Sequence, residues 1–197
     1  MKTALDCVPC LVRQALESAK LVSTDPEFQE TILRDTMRTI TTLPFNQSPP
    51  QIAAVVHDDI RRRLRNPDPY EEQKRRFNEL ALSLRPALEA EVAGAEDPFE
   101  RAVHLAIAGN VIDFGVTAGI EERDLHDAIE RVADQTLFGD LEELRRRVAE
   151  ARSILYLTDN TGEIVLDRLL IQRLPTDRVT VAVRGGPIIN DATMEDA

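Results

Sequence analysis

Cysteine is nearly absent from this 197-residue chain: Cys7 and Cys10 are the whole complement. Two thiols cannot build a disulfide scaffold, and their scarcity fits a reducing compartment. Long hydrophobic runs are missing too, with nothing near the roughly 20 residues a membrane span requires, so no membrane association is expected. The N-terminus reaches Asp6 and the cysteine pair before any signal-peptide core develops. The expectation is an intracellular, cytoplasmic protein. Basic residues are in deficit, 24 Lys and Arg against 35 Asp and Glu, for a formal net charge of −11. That balance disfavours a nucleic-acid partner, which normally meets a basic footprint. An anionic small substrate stays compatible if a cation stands between it and the protein. Histidine is sparse, and His57, His104 and His126 show no ligand spacing. No GxGxxG fingerprint, internal repeat or low-complexity tract occurs.

What is present is a run of helical patterns. Hydrophobic residues make up 43% and charged residues 30% of the chain, which places it among globular proteins with a substantial core. Leu11, Ala15, Leu16 and Ala19 share a face of a first helix over about residues 5 to 22. Asp25-Pro26 supplies an N-cap and a first-turn proline for a second helix, with Phe28, Ile32, Leu33, Met37 and Ile40 on its apolar face. Ser48-Pro49-Pro50 precedes a third, carrying Ile52, Val55, Val56, Ile60 and Leu64. Asn66-Pro67-Asp68-Pro69 precedes a long fourth helix containing Phe77, Leu80, Ala81, Leu84 and Leu88. Asp97-Pro98 starts a fifth, whose stripe of Val103, Ala106, Ile107, Val111 and Phe114 is interrupted by Asn110, with Asp113 one turn on. Ile129, Val132 and Ala133 suggest another helix, and Asp140 caps a further one with Leu141, Leu144 and Val148 as its buried positions.

Past residue 150 the period changes. Ile154–Leu157 is strand-like, Glu163–Arg173 helix-like, and Arg178–Val183 a second strand of β-branched residues. Strand, helix and strand at this spacing predict one βαβ unit with parallel strands. Two strands make a poor sheet alone, so the chain reads as an α+α/β protein: an all-helical domain over 1–150, then 151–197 as the start of an α/β domain, incomplete after its first βαβ unit.

Oxygen-bearing side chains follow both strands, where open α/β sheets bind ligands. Asp159 offers a carboxylate and Asn160 an amide carbonyl, the donors that hard divalent cations prefer. Asp191, beyond the second strand, would approach them if the strands are parallel neighbours. Two acids and an amide leave coordination positions for water and a substrate oxygen, which suits Lewis-acid catalysis of phosphoryl transfer. Helix capping accounts for the same residues structurally: Asn160 as an N-cap with Glu163 three residues later, and Asn190-Asp191 as another cap. Gly185-Gly186 permits a close backbone approach. Asn110 and Asp113 lie three apart on one helical surface, suited either to an inter-helix hydrogen bond or to facing the site. Cys7-Val8-Pro9-Cys10 is half of a zinc pattern without its second half, and no strand precedes it as a thioredoxin-like motif requires. The arginine runs Arg61–Arg63 and Arg145–Arg147 read as solvated helix surface.

Four segments together resemble one family: Asp6-Cys7-Val8-Pro9-Cys10 with Arg13-Gln14, Gly109-Asn110-Val111-Ile112-Asp113, Leu157–Glu163, and Val183–Thr193. In order and spacing the chain is similar to the metal-dependent damage-control phosphatases, catalogued as domain of unknown function 89, in their prokaryotic CxxC-containing branch. The resemblance implies a helical N-terminal domain joined to a Rossmann-like α/β domain. It implies hydrolysis of phosphate esters of small metabolites such as sugar phosphates, with Mn²⁺, Co²⁺, Ni²⁺ or Mg²⁺. The metal ligands and catalytic residues would be Asp159, Asn160 and Asp191, with Asn110, Asp113 and Glu163 lining the substrate site. It further implies that relatives continue into a later strand whose lysine-bearing loop binds the substrate phosphate. Two alternatives stand beside it. One is an S-adenosylmethionine-dependent carboxyl methyltransferase, for which only Gly162 lies where a glycine-rich turn is expected. The other is a non-catalytic metal-binding module held by Cys7 and Cys10.

Overall fold

Caps and apolar stripes set the helices where the sequence pattern places them. The computed structural model of the chain describes residues 2–111, Asp127, Ile129, Arg131, Val132 and residues 136–197. Asp113, Phe114 and Ala133, all named from the sequence, lie outside the described residues. Among the described residues the protein is mostly helical, with seven α-helices and a two-stranded parallel sheet. No helix among them is long and apolar enough to cross a membrane.

One compact unit comprises the chain up to Glu72 together with Pro187–Ile189. It holds α1 (Cys7–Val22), α2 (Pro26–Thr42) and α3 (Pro49–Leu64). Asp25 caps α2, its Oδ1 accepting from Glu27 N at 3.0 Å, and Gln51 Oε1 reaches back to Ser48 N at 3.0 Å to open α3. α3 closes on Arg65, which adopts the left-handed conformation (φ 52°). The core is one cluster of Leu11, Ala15, Ala19, Ile32, Ile40, Ile52, Val56, Ile60 and Leu64, the stripes expected from helical periodicity. Two polar contacts cross it: Ser18 Oγ with Tyr70 OH at 3.0 Å, which is buried, and His57 Nε2 with Gln14 Oε1 at 3.0 Å, which is partly buried. Met37 and Val55, on the same predicted stripes, are exposed, because a three-helix core buries only the narrow face that α1, α2 and α3 share.

The second unit runs from Gln73 to Gly186 and from Asn190 to Ala197. It contains α4 (Glu71–Gly94) from Gln73 onward, α5 (Pro98–Val111), α6 (Leu141–Glu150), β1 (Ile154–Leu157), α7 (Glu163–Ile171) and β2 (Val179–Ala182). α7 ends two residues before the predicted Arg173, where Arg173 N turns back to Leu170 O at 2.8 Å. β1 and β2 pair in parallel from Ile154↔Val179 to Leu157↔Ala182, so β1-α7-β2 is the predicted βαβ unit. The core joins Phe77, Ala81, Leu88 and Val92 of α4 with Ala102, Leu105 and Ala108 of α5 and Ile164, Val165, Leu166 and Leu169 of α7. Ile129 and Val132 are helical and buried in the same cluster, whereas α6 buries none of its expected positions: Leu141 and Val148 are half-buried and Leu144 is exposed. Burying a leucine such as Leu105 or Leu166 contributes roughly 2 to 3 kcal/mol, so α5 and α7 act as one packed pair that supports the end of β1.

Candidate active site

β1 is followed by Thr158, whose N and Oγ1 both donate to Ala182 O, at 3.1 and 3.0 Å. The segment Asn190–Thr193 then crosses the ends of both strands. Ala192 N donates to Asp159 O at 2.7 Å, Thr161 N to Asn190 O at 2.9 Å, and Arg184 N to Ala192 O at 2.9 Å. Asn160 and Asp191 face each other as an isolated antiparallel bridge, and Arg184 and Thr193 as a parallel one. These backbone bonds bring Asp159, Asn160 and Asp191 to one sheet edge.

The capping account of these residues is half correct. α7 has Gly162 as its N-cap, at φ 77°, with no side-chain cap bond; the left-handed backbone there favours glycine. Glu163 does reach back, Oε2 accepting from Asn160 N at 3.2 Å, but the Asn160 side chain caps nothing. Its Nδ2 donates to Glu163 Oε2 at 3.1 Å, which leaves the amide carbonyl as its remaining polar atom. Asp191 likewise caps no helix and instead accepts from Arg184 Nε at 2.5 Å. The glycines of Arg184-Gly185-Gly186 are not explained by close approach, since an added Cβ at either would meet nothing within 4 Å.

α5 supplies the opposite side of the cluster. Asn110 Nδ2 lies 3.2 and 3.3 Å from the Glu163 carboxylate oxygens and 3.4 Å from Asp159 Oδ2. The polar interruption of the α5 stripe thus faces α7 and the end of β1. Glu163 is buried, and that burial raises its carboxyl above the ordinary range; the Asp159 charge adds to the rise, while the Asn160 and Asn110 donors oppose it. Asp191 is raised as well, first by burial and then by Asp159, against the lowering effect of Arg184 and Lys74.

Several participants escaped the sequence pattern. Asp167 is buried one turn beyond Glu163, accepts from Tyr156 OH at 2.6 Å, and is pushed up to about 7, chiefly by burial. Asn78 of α4 accepts from Gly162 N at 2.8 Å and donates to Asp196 Oδ1 at 2.7 Å, tying the α7 N-terminus to the segment beyond Asp191. The i,i+4 spacing of Glu163 and Asp167 on one helix was the available signal for Asp167; nothing local marks Asn78. In the other unit Cys7 and Cys10 are half-buried free thiols, and Cys10 Sγ accepts from Gln14 Nε2 at 3.7 Å.

The donor set suits a hard cation. Asp159, Asp191 and Glu163 bring carboxylates close enough for Asp159 to raise both of its neighbours, a repulsion that a bound cation relieves. Among the described residues no three His, Cys, Asp or Glu side chains converge as a complete metal cage. The available oxygens are therefore two carboxylates and the Asn160 carbonyl.

Known proteins are similar to this chain over its whole length. The family model described as the damage-control phosphatase ARMT1-like domain matches residues 3–197. A protein of Archaeoglobus fulgidus named damage-control phosphatase is 33% identical over 205 residues, aligning with 100% of this chain and 69% of its own. A damage-control phosphatase of Pyrococcus horikoshii is 32% identical over 201 residues, covering 100% of this chain and 68% of its own. The crystal structure of a DUF89 family protein from Pyrococcus horikoshii superposes with a TM-score of 0.85 at 31% identity, over 100% of this chain and 69% of that one.

Proposed function

Since the chain belongs to the damage-control phosphatase ARMT1-like domain family, we propose that it acts as a metal-dependent phosphomonoester hydrolase on small phosphorylated metabolites, sugar phosphates among them. In this reading residues 1–150 are the helical domain and 151–197 belong to a Rossmann-like α/β domain. The observation that supports the proposal is the backbone bridge between Asn160 and Asp191, which brings the segments bearing two strand-end acids and an amide to one sheet edge.

Asp159, Asn160 and Asp191 would hold the divalent cation, Mn²⁺, Co²⁺, Ni²⁺ or Mg²⁺. When bound, it would supply Lewis-acid polarisation of a phosphoryl oxygen. The protein's own groups orient the rest. Asn110 and the Asn160 amide fix the Glu163 carboxylate, and Glu163 in turn holds the Asn160 amide nitrogen so that its carbonyl is free to ligate. Asp159 is exposed and is the acid best placed to orient an attacking water and accept its proton. Asp113 is proposed with Asn110 and Glu163 as part of the substrate-binding wall.

Turnover of a sugar-phosphate panel with Mn²⁺, alongside calorimetric Mn²⁺ binding, tests the reading. Asp159→Asn and Asp191→Asn are each expected to cost about a hundredfold or more in kcat/KM, the scale of losing a transition-state electrostatic contact, and to weaken Mn²⁺ binding. Full activity and metal affinity in both variants would sink it. S-adenosylmethionine binding in the presence of a chelator would favour the methyltransferase instead. Loss of bound metal only on Cys7→Ser/Cys10→Ser would favour the cysteine-held module.

A further inference from the structure

Arg184 follows β2 directly, and its backbone is pinned to the crossing segment by its N–H to Ala192 O at 2.9 Å and by the bridge to Thr193. Its side chain is therefore rooted in the sheet edge that carries Asp159 and Asp191. Nε donates to Asp191 Oδ2 at 2.5 Å, with the arginine side chain 50% exposed and the aspartate 13%. A guanidinium offers five N–H donors in a rigid fork, and one that serves only a carboxylate commonly takes both oxygens with two parallel donors. Here a single Nε contact is made, and among the described residues the Nη groups are left for another acceptor.

Charge gives that acceptor its sign. Three carboxylates, Asp159, Glu163 and Asp191, outweigh one divalent cation even before a phosphomonoester dianion arrives. The substrate therefore needs fixed positive charge from the protein, and it gathers around Asp191, where Arg184 is bonded and the charge of Lys74 also reaches. We propose that Arg184 is a substrate-binding residue that links the two halves of the chemistry: its Nε holds Asp191, and its Nη edge takes a non-bridging phosphoryl oxygen of the substrate. This rests on the phosphatase reading above. Lysine at the same position keeps the charge but has no rigid planar fork to span Asp191 and a phosphoryl oxygen in fixed geometry.

The test uses the full chain with Mn²⁺, inorganic phosphate as the probe, and Arg184→Gln and Arg184→Lys. Phosphate binding is read directly by calorimetry or ³¹P line broadening, and KM, kcat and Mn²⁺ affinity are measured in parallel. For Arg184→Gln the phosphate dissociation constant and KM are expected to rise by about tenfold or more, as for loss of a charge-assisted hydrogen bond. Mn²⁺ affinity should stay the same or tighten, because a neighbouring positive charge has gone. Arg184→Lys should fall between wild type and glutamine. The proposal is overturned if phosphate binding and KM are unchanged while Mn²⁺ affinity and kcat fall, since Arg184 would then only hold Asp191 in place. A wild-type protein that binds no phosphate overturns it too. Should Asp159→Asn and Asp191→Asn retain activity while Arg184→Gln loses phosphate binding, the metal-site reading fails and the arginine assignment stands.

Discussion

Gly109 of α5 stands so close to Glu163 of α7 that a Cβ there would lie 3.3 Å from both Glu163 Cα and Glu163 Cγ. One of those contacts is backbone, so the helices rather than a flexible side chain must give way. Gly109→Ala gains about 1 kcal/mol of helix propensity and loses a similar amount to crowding, so little change in Tm is expected. Gly109→Val has no such compensation. Overpacking of about 1 to 3 kcal/mol should lower its Tm and, by displacing Glu163 from Asn110, its activity, as thermal unfolding and kinetics would register.

Asp167 is buried against Tyr156 with a carboxyl pushed up to about 7, by burial first and then by the charges of Glu163 and Asp159. The folded state holds its proton above the ordinary carboxylate value, so between about pH 4 and 7 folding takes protons up. This group's contribution to stability is full below the unfolded pKa and is lost as pH rises through about 7, on the order of 4 kcal/mol in all. Asp167→Asn is therefore expected to raise Tm at pH 8 and to leave it nearly unchanged at pH 4, in metal-free buffer at both values.

His57 works in the opposite direction. Burial, and then the Arg61 charge, hold its imidazole down at about 4, while the unfolded chain titrates near 6.5. The unfolded state binds the extra proton, so stability is full above about 6.5 and falls as pH drops towards 4, by on the order of 3 kcal/mol. NMR titration should show the His57 ring neutral down to about pH 5, and His57→Gln should flatten the acid limb of Tm against pH.

Arg65 closes α3 in the left-handed conformation, φ 52° and ψ 32°, with its side chain exposed. Glycine adopts that conformation without the Cβ clash, at a gain of about 1 kcal/mol. Arg65→Gly is expected to raise Tm by about 2 to 4 °C for a chain of this size; an unchanged or lower Tm would mean that the arginine side chain outweighs the strain.

Much of the helical framework was legible because caps are local. Asp25-Pro26 and Ser48-Pro49 act within three residues of themselves, and both helices start where those signals stand. β1 matches its predicted residues, and β2 falls within Arg178–Val183. Asn160 was harder to read. Its sequence context favours an N-cap, and the choice turned on Glu163, which engages the amide nitrogen once α5 brings Asn110 against it. The Tyr156–Asp167 pair depends on how α7 lies over β1, and the Asn78–Gly162 bond on α4 lying beside α7; neither distance follows from spacing along the chain.

Short-range chemistry in the sequence decides where each helix and strand begins, which faces are apolar, and that Asp159, Asn160 and Asp191 sit past strand ends. Those outcomes depend on contacts between residues a few positions apart, for which order along the chain is enough. Packing decides the rest. The crossing segment Asn190–Thr193 sets Asp191 opposite Asn160 and gives it Arg184 as a partner, and the close fit of Gly109 on Glu163 brings Asn110 to the acids. Burial, and the raised carboxyls of Glu163, Asp167 and Asp191 that come with it, exist only once α4, α5 and α7 have removed water from around them.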